Sequence, residues 1–224
     1  MSDPRTVAEE RSLGPMRSTI ADRLQESYRN AVHVTVGRSV DAEHLVATVE
    51  DAPDGVSIVD GVLAAGSETL AAHPDFNATY EDDTHRLFAD QHVGVAVDVN
   101  AGLVTPVLRN LESLSLAEIG AERRRLTELV QAGDHAMSDL QHGTFTVSNL
   151  GPLGVDSFTP IINPPEVAIL GVDRLRERAV PGEDGPEFRR EIRFDLTIDH
   201  RIVDGADAAR FLETLDGQLQ ALGE

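Results

Sequence analysis

The sequence predicts an α/β domain, and three observations predict it. Residues 193–212 change period within one run. Phe194, Leu196 and Ile198 alternate with Asp195, Thr197 and Asp199, the pattern of a half-buried strand, and from Ala206 onward Ala208, Phe211, Leu212 and Leu215 fall on one helical face. Strand-like and helix-like stretches are interleaved along the rest of the chain. No repeat, linker or low-complexity segment interrupts them, so one domain is expected over 15–224, preceded by a polar, loose arm over 1–14.

The elements follow in order. Met16, Ile20, Leu24 and Ser27 recur at helical spacing after Pro15 and predict an amphipathic helix, on which Arg17 and Arg23 read as solvated charges. Residues 32–36 read as a strand, with His33 as a core or rim histidine, and Asp41 caps a helix reaching about Val49. Residues 57–72 are apolar nearly all round, which predicts a buried helix that ends at His73-Pro74. Residues 93–99 and 102–108 read as two strands joined by a tight turn at Asn100-Ala101-Gly102. A long helix from Ser115 or Leu116 to Gly133 turns Leu116, Ile119, Leu126 and Val130 inward. Its Arg123-Arg124-Arg125 triplet is solvated or paired with Glu122 and Glu128. Residues 144–151 form a strand running into a glycine loop. Residues 161–171 are a loop leading into a buried strand, and 181–186 connect a hairpin whose second strand returns to His200.

Composition narrows the function. The chain carries 39 acidic and 19 basic residues for a net charge of -20, and every basic residue is arginine. Nucleic acid and anionic membranes are poor partners for such a surface. Acid excess without lysine predicts a protein suited to a high-salt cytoplasm, where salt screens the self-repulsion. There is no cysteine, hence no disulfide, thiolate metal site or cysteine nucleophile. No apolar run approaches a membrane span and the first residues lack a signal peptide's apolar core, so a soluble, cytoplasmic protein is expected. Gly151 and Gly154 fit neither a P-loop nor a dinucleotide fingerprint.

The chemistry concentrates at the period change. His200 stands where the strand ends, and Asp204 follows four residues later in the turn before the helix. A histidine so placed offers a base, and the carboxylate orients it or fixes the turn. A solvated turn histidine is the plainer alternative. The run Asp199-His200-Arg201-Ile202-Val203-Asp204-Gly205-Ala206 resembles the signature of the dihydrolipoamide acyltransferase cores of 2-oxo acid dehydrogenase complexes, which share a fold with chloramphenicol acetyltransferase. Further runs are similar to the same family in the same order: Val32-His33-Val34-Thr35, with valine where proline is usual; His73-Pro74 followed by Asn77-Ala78; Gly102-Leu103-Val104-Thr105-Pro106-Val107; Thr144-Phe145-Thr146-Val147-Ser148-Asn149-Leu150-Gly151; and the segment from Ile161 to Gly171.

The resemblance implies a two-layer sandwich of a mixed sheet and helices, forming trimers or larger assemblies of trimers with the site between subunits. It gives His200 the role of general base on the thiol of coenzyme A or of dihydrolipoamide. Ser148 becomes a hydroxyl donor to the tetrahedral oxyanion, supplied by the neighbouring chain, and Asp204 holds the turn and the orientation of His200. Without the resemblance, Ser148 reads as a strand-end serine bonded to its own backbone. An N-terminal arginine pairs with the motif Asp in this fold, and the sequence leaves open which one. Motif matching places Ser57, Asp98, Asn149, Gly171 and Asp173 against coenzyme A, and no metal is needed. Family members carry a lipoyl domain and a peripheral subunit-binding domain. Neither is expected in these 224 residues, which contain no lysine to accept lipoyl. The lipoyl group is therefore expected from a separate lipoyl-domain protein, with the decarboxylase and dihydrolipoamide dehydrogenase as further partners. Two other readings stay open: a coenzyme A-dependent acyltransferase of the same fold acting on a small hydroxyl or amine, and a non-catalytic assembly core.

Overall fold

The computed structural model describes residues 6–53, 55–99, 102–182 and 185–223. The turn expected at Asn100-Ala101, the tip of the 181–186 connection and the first residues of the N-terminal arm lie outside the described residues. Residues 6–14 are exposed and form neither helix nor strand. The elements are α1 (Pro15–Asn30), β1 (His33–Asp41), α2 (Glu43–Asp51), α3 (Ile58–Ala72), β2 (Ala78–Glu81), β3 (Thr84–Leu87), β4 (Val93–Val95), β5 (Val97–Val99), β6 (Gly102–Val104), β7 (Val107–Leu108), α4 (Leu116–Ala132), β8 (Phe145–Asn149), β9 (Ala168–Val172), β10 (Arg176–Gly182), β11 (Gly185–Asp199) and α5 (Gly205–Gln220).

Helix boundaries follow local chemistry. Asp60 in the first turn of α3 reaches back to accept from the amide and the hydroxyl of Ser57, both at 2.8 Å. Ser115 and Glu118 make the reciprocal pair at the start of α4, and Gly133 closes that helix at φ 77°, where a side chain would be strained. Asp41 precedes the cap position by one residue and accepts from the Glu43 amide at 2.9 Å, while Ala42 occupies the cap itself. α1 is amphipathic in sequence, yet Met16 and Leu24 are exposed and Ser27 is its buried residue. Of its apolar stripe, Ile20 packs toward Gly102 while Met16 and Leu24 stay exposed.

The main sheet runs β1-β11-β9-β8-β4-β7, with β10 paired to the first half of β11. β8 lies parallel to β4 and β9, and the other pairings are antiparallel. Register divides the sheet into two faces. One carries Val36, Leu196, Leu170, Val147 and their neighbours, packed beneath the helices, with Phe211 of α5 stacked on Phe76 and Phe145 at 4.6 and 5.8 Å. The other is polar and small. Gly37, Asp195, Gly171 and Ser148 form one row across four strands, and Thr35, Thr197, Ile169 and Thr146 the next.

Two expectations are corrected. Residues 93–99 and 102–108 each break into two short strands. β4 and β7 belong to the main sheet, whereas β5 and β6 pair only with each other. The breaks fall at Ala96, whose amide turns to the Val147 carbonyl, and at Thr105-Pro106, where proline offers no amide to a ladder. The last strand is also not half-buried: Phe194 through Asp199 are all buried. A lid of loop covers the polar face. The Ser157 hydroxyl and Phe158 amide donate to Asp195 at 2.6 and 3.1 Å, and the Phe158 ring lies over Gly171, where a Cβ would meet it at 2.9 Å.

Candidate active site

His200 sits one residue past β11, as the alternation foretold. Its amide donates to the Val32 carbonyl at 2.8 Å, and its side chain is 40% exposed. Asp204 occupies the cap position of α5 without capping it, and is 77% exposed. His200 Nδ1 and Asp204 Oδ1 are 3.7 Å apart, too far for a hydrogen bond. Asp204 thus faces the imidazole without holding it. Neither N-terminal arginine considered for Asp204 reaches it: Arg23 donates to the Pro164 carbonyl at 3.2 Å, and Arg17 lines a cavity elsewhere.

Ser148 lies at the far end of the same polar face. It stands opposite Gly171, which stands opposite Asp195, and β11 then runs five residues before reaching His200. Because β11 opposes β8, their C-terminal ends point to opposite edges of the sheet. At about 3.3 Å per residue and about 4.8 Å per strand, the two side chains of one chain stand about 19 Å apart. One copy of the chain therefore does not bring them together. Ser148 is buried on β8.

The remaining expected contacts are dispersed. Asp98 is exposed on β5 and, with Arg17, Val99, Gly102 and Gln131, lines an open cavity of about 510 Å³. Ser57 is tied into Asp60 and Arg123, with Arg123 donating to its hydroxyl at 3.2 Å. The Asn149 side chain accepts from the Gly151 amide at 2.9 Å and fixes the turn after β8. Gly171 is covered by Phe158. Asp173 is sealed, with neither carboxylate oxygen bonded. Burial, and then the Asp195 carboxyl beside it, push its pKa up to about 7.

Sequence reasoning missed the ties of several charged residues, some of which act over long range. Asp60 is fully buried and takes Arg123 in two bonds of 2.5 and 3.0 Å. Only Arg125 of the triplet makes the expected local pair, with Glu122. Glu166 is buried beneath the polar face, accepting from the Thr146 hydroxyl at 2.6 Å and the Asn163 amide at 3.0 Å. Burial raises its pKa to about 7 against the lowering effect of those bonds. Asp199 is almost fully buried. Burial alone would raise its pKa, but the Arg201 side chain and the amides of Arg201 and Val32 more than offset this and hold it below the ordinary value. Among the described residues, no group of three or more histidine, cysteine, aspartate or glutamate side chains is arranged to hold a metal ion, and no helix is long and apolar enough to cross a membrane.

Comparison with known proteins bears on this geometry. The chain is 35% identical over 223 residues to the dihydrolipoyllysine-residue acetyltransferase component of the acetoin cleaving system of Bacillus subtilis, covering 95% of this chain and 56% of that protein. It is 37% identical over 216 residues to the mitochondrial pyruvate dehydrogenase acetyltransferase component of Schizosaccharomyces pombe, covering 92% and 45%. It thus spans about half the length of these curated relatives. Among solved structures, the dihydrolipoamide acetyltransferase of Azotobacter vinelandii superposes with a TM-score of 0.89 at 32% identity, over 98% of this chain and 97% of that one. The cubic core of a pyruvate dehydrogenase multienzyme complex gives 0.88 at 31%, over 98% and 97%. A chloramphenicol acetyltransferase shares the fold, with a TM-score of 0.58 at 14% identity over 88% and 94%. The model of the 2-oxoacid dehydrogenases acyltransferase catalytic domain matches residues 6–224, and the chain belongs to that family.

Proposed function

We propose that the protein moves an acyl group between a dihydrolipoyl thiol and coenzyme A. His200 Nε2, the ring nitrogen turned away from Asp204, takes the proton of the attacking thiol, which is mostly protonated near neutral pH. The thiolate adds to the thioester carbonyl, and the Ser148 hydroxyl of a neighbouring copy donates to the resulting oxyanion. Collapse expels the second sulfur, which recovers the proton from His200. The observation that carries this reading is spacing. The Azotobacter structure was determined to probe one serine, one histidine and one asparagine in the catalytic mechanism; there the serine precedes the histidine by 52 residues and the asparagine follows it by four. Ser148, His200 and Asp204 keep those separations. Asp204 stands in the place of the asparagine, so a short polar side chain rather than a charge is the shared feature.

The distance between Ser148 and His200 within one chain supports a site completed by a second copy, in a trimer or an assembly of trimers. Motif matching supports coenzyme A contacts at Ser57, Asp98, Asn149, Gly171 and Asp173, residues that one copy of the chain leaves dispersed. Of these, Asp98 is open to contact, whereas Gly171 lies under Phe158 and Asp173 is buried. Lipoyl arrives on a lysine outside these 224 residues, with the decarboxylase and dihydrolipoamide dehydrogenase as further partners. The work is done in the high-salt cytoplasm suited to a charge of -20.

Complementation tests the shared site. His200→Ala and Ser148→Ala proteins, each inactive with acetyl-coenzyme A and dihydrolipoamide, are unfolded and refolded together. Mixed assemblies contain some sites with both side chains intact and regain part of the activity. Mixed assemblies confirmed by mass but lacking activity would refute the shared site, and transfer to a small alcohol or amine in preference to dihydrolipoamide would refute the acceptor.

A further inference from the structure

We infer that Asp199, Arg201 and Tyr80 form a positioning frame that fixes the backbone turn carrying His200; this rests on His200 being the base. Among the described residues, the charged group paired with the His200 side chain is Asp204, beyond hydrogen-bond range at 3.7 Å, and both side chains are open to solvent. Side-chain contacts therefore do not aim the imidazole. Its aim is inherited from the backbone of residues 199–204.

That backbone is tied down by the side chain immediately before it. Asp199 Oδ1 accepts from the Val32 amide at 3.1 Å and from the Arg201 amide at 3.1 Å. The Val32 carbonyl in turn accepts the His200 amide. The peptide of His200 is thus closed into a ring with the segment entering β1, and both of its flanking residues belong to the same carboxylate. The Asp199 carbonyl adds bonds from the amides of Ile202 and Val203 at 2.9 and 3.1 Å.

Arg201 completes the frame. Its Nε donates to both Asp199 oxygens at 3.0 Å and a terminal nitrogen to Oδ2 at 2.5 Å. The guanidinium carbon lies 4.8 Å from the centroid of the Tyr80 ring on β2. Tyr80 is itself held, its amide donating to the Pro165 carbonyl at 2.9 Å and its hydroxyl to Asp83 at 3.2 Å. The turn is therefore anchored to β1 on one side and to the β2 hairpin on the other. An ion pair around a buried carboxylate is weak evidence of stabilisation, since apolar replacements often serve as well. What apolar side chains would not supply is a carboxylate that fixes two amides on either side of the base, nor a flat fork that orients the carboxylate.

The test measures turnover and Michaelis constants for acetyl-coenzyme A and dihydrolipoamide in molar salt, with the assembly state of each variant checked by light scattering. Arg201→Met is expected to lower kcat by about tenfold to a hundredfold, the scale on which an ångström of misplacement acts, with both KM values within about twofold of wild type. Arg201→Lys keeps a charge facing Asp199 and hence the fold, but loses the fork and the flat stacking. It is expected to keep the wild-type Tm and to lose about tenfold in kcat, which a purely structural ion pair would not produce. Wild-type kcat in a folded Arg201→Lys, or a loss confined to KM, overturns the frame. His200→Ala is run alongside: if it retains turnover, the base assignment falls and takes the frame with it, whereas an inactive His200→Ala beside a fully active Arg201→Lys removes the frame alone.

Discussion

Glu166 makes stability depend on pH in a direction opposite to that of most surface carboxylates. Its side chain is buried, and its pKa rises from 4.5 to about 7 because burial penalises the charged form more than Thr146 and Asn163 stabilise it. A folded-state pKa above the unfolded value means that the folded protein holds the proton more tightly. The associated stability is fully present below about pH 4.5 and is lost as pH rises through about 7. The span from 4.5 to about 7 corresponds to about 3 kcal/mol at about 1.4 kcal/mol per pH unit. Glu166→Gln removes the titration and keeps the bonding. Its carbonyl accepts from Asn163, and its amide meets the Thr146 hydroxyl, which accepts as readily as it donates. Urea unfolding of both proteins at fixed concentration and molar salt, between pH 5 and pH 8.5, should give nearly equal free energies at the acid end. A gap in favour of Glu166→Gln should open to about 3 kcal/mol at the alkaline end. Curves that stay parallel across the range would refute the reasoning, and a variant less stable at pH 8.5 would show that the ionised carboxylate is wanted there.

Two further outcomes are expected. Ser148→Ala should lower kcat about a hundredfold with KM nearly unchanged, as loss of a contact made only in the transition state does; a loss of stability without loss of rate would return Ser148 to a structural role. Dialysis from 1 M to 0.01 M salt lengthens the screening distance from about 3 Å to about 30 Å, so a chain of charge -20 should lose Tm and activity together, and an unchanged Tm would contradict the high-salt reading.

What could be read from the sequence is what is local. The Ser57 and Ser115 boundaries, the His73-Pro74 stop, the strand ending at Asp199 and the four-residue step from His200 to Asp204 all depend on residues within one turn of each other, and all are found. Other ties are not local. Asp199 meets Val32 across 167 positions, and Arg123 meets Asp60 across 63. The alternation of β11 sorted its residues correctly between faces. It could not show that the polar set would be buried as well, because its cover comes from residues 157–162, which have no period of their own. The division of 93–108 into four short strands was likewise hidden, since a run of valines reads the same whether or not its amides stay in one ladder.

The polar face gives these separate features a common meaning. Gly37, Asp195, Gly171 and Ser148 run across it in one row, with Thr35, Thr197 and Thr146 beside them and Glu166 below. Gly37 and Gly171 leave no room for a larger side chain, whereas apolar side chains in place of Asp195 and Glu166 would bury more apolar surface and remove two buried ionisable groups. Stability therefore does not account for the choice, and the carboxyls of Glu166 and Asp173 are each held in surroundings that oppose their charge. Ser148 emerges at one end of that face and His200 at the other, about 19 Å apart. The loop carrying Ser157 and Phe158 covers the middle of that face, so on the proposed shared site a second copy would meet its two ends rather than the face itself. If the proposed shared site holds, dilution below the association threshold should abolish turnover before it unfolds the chain, and turnover that persists in a monomer would refute it.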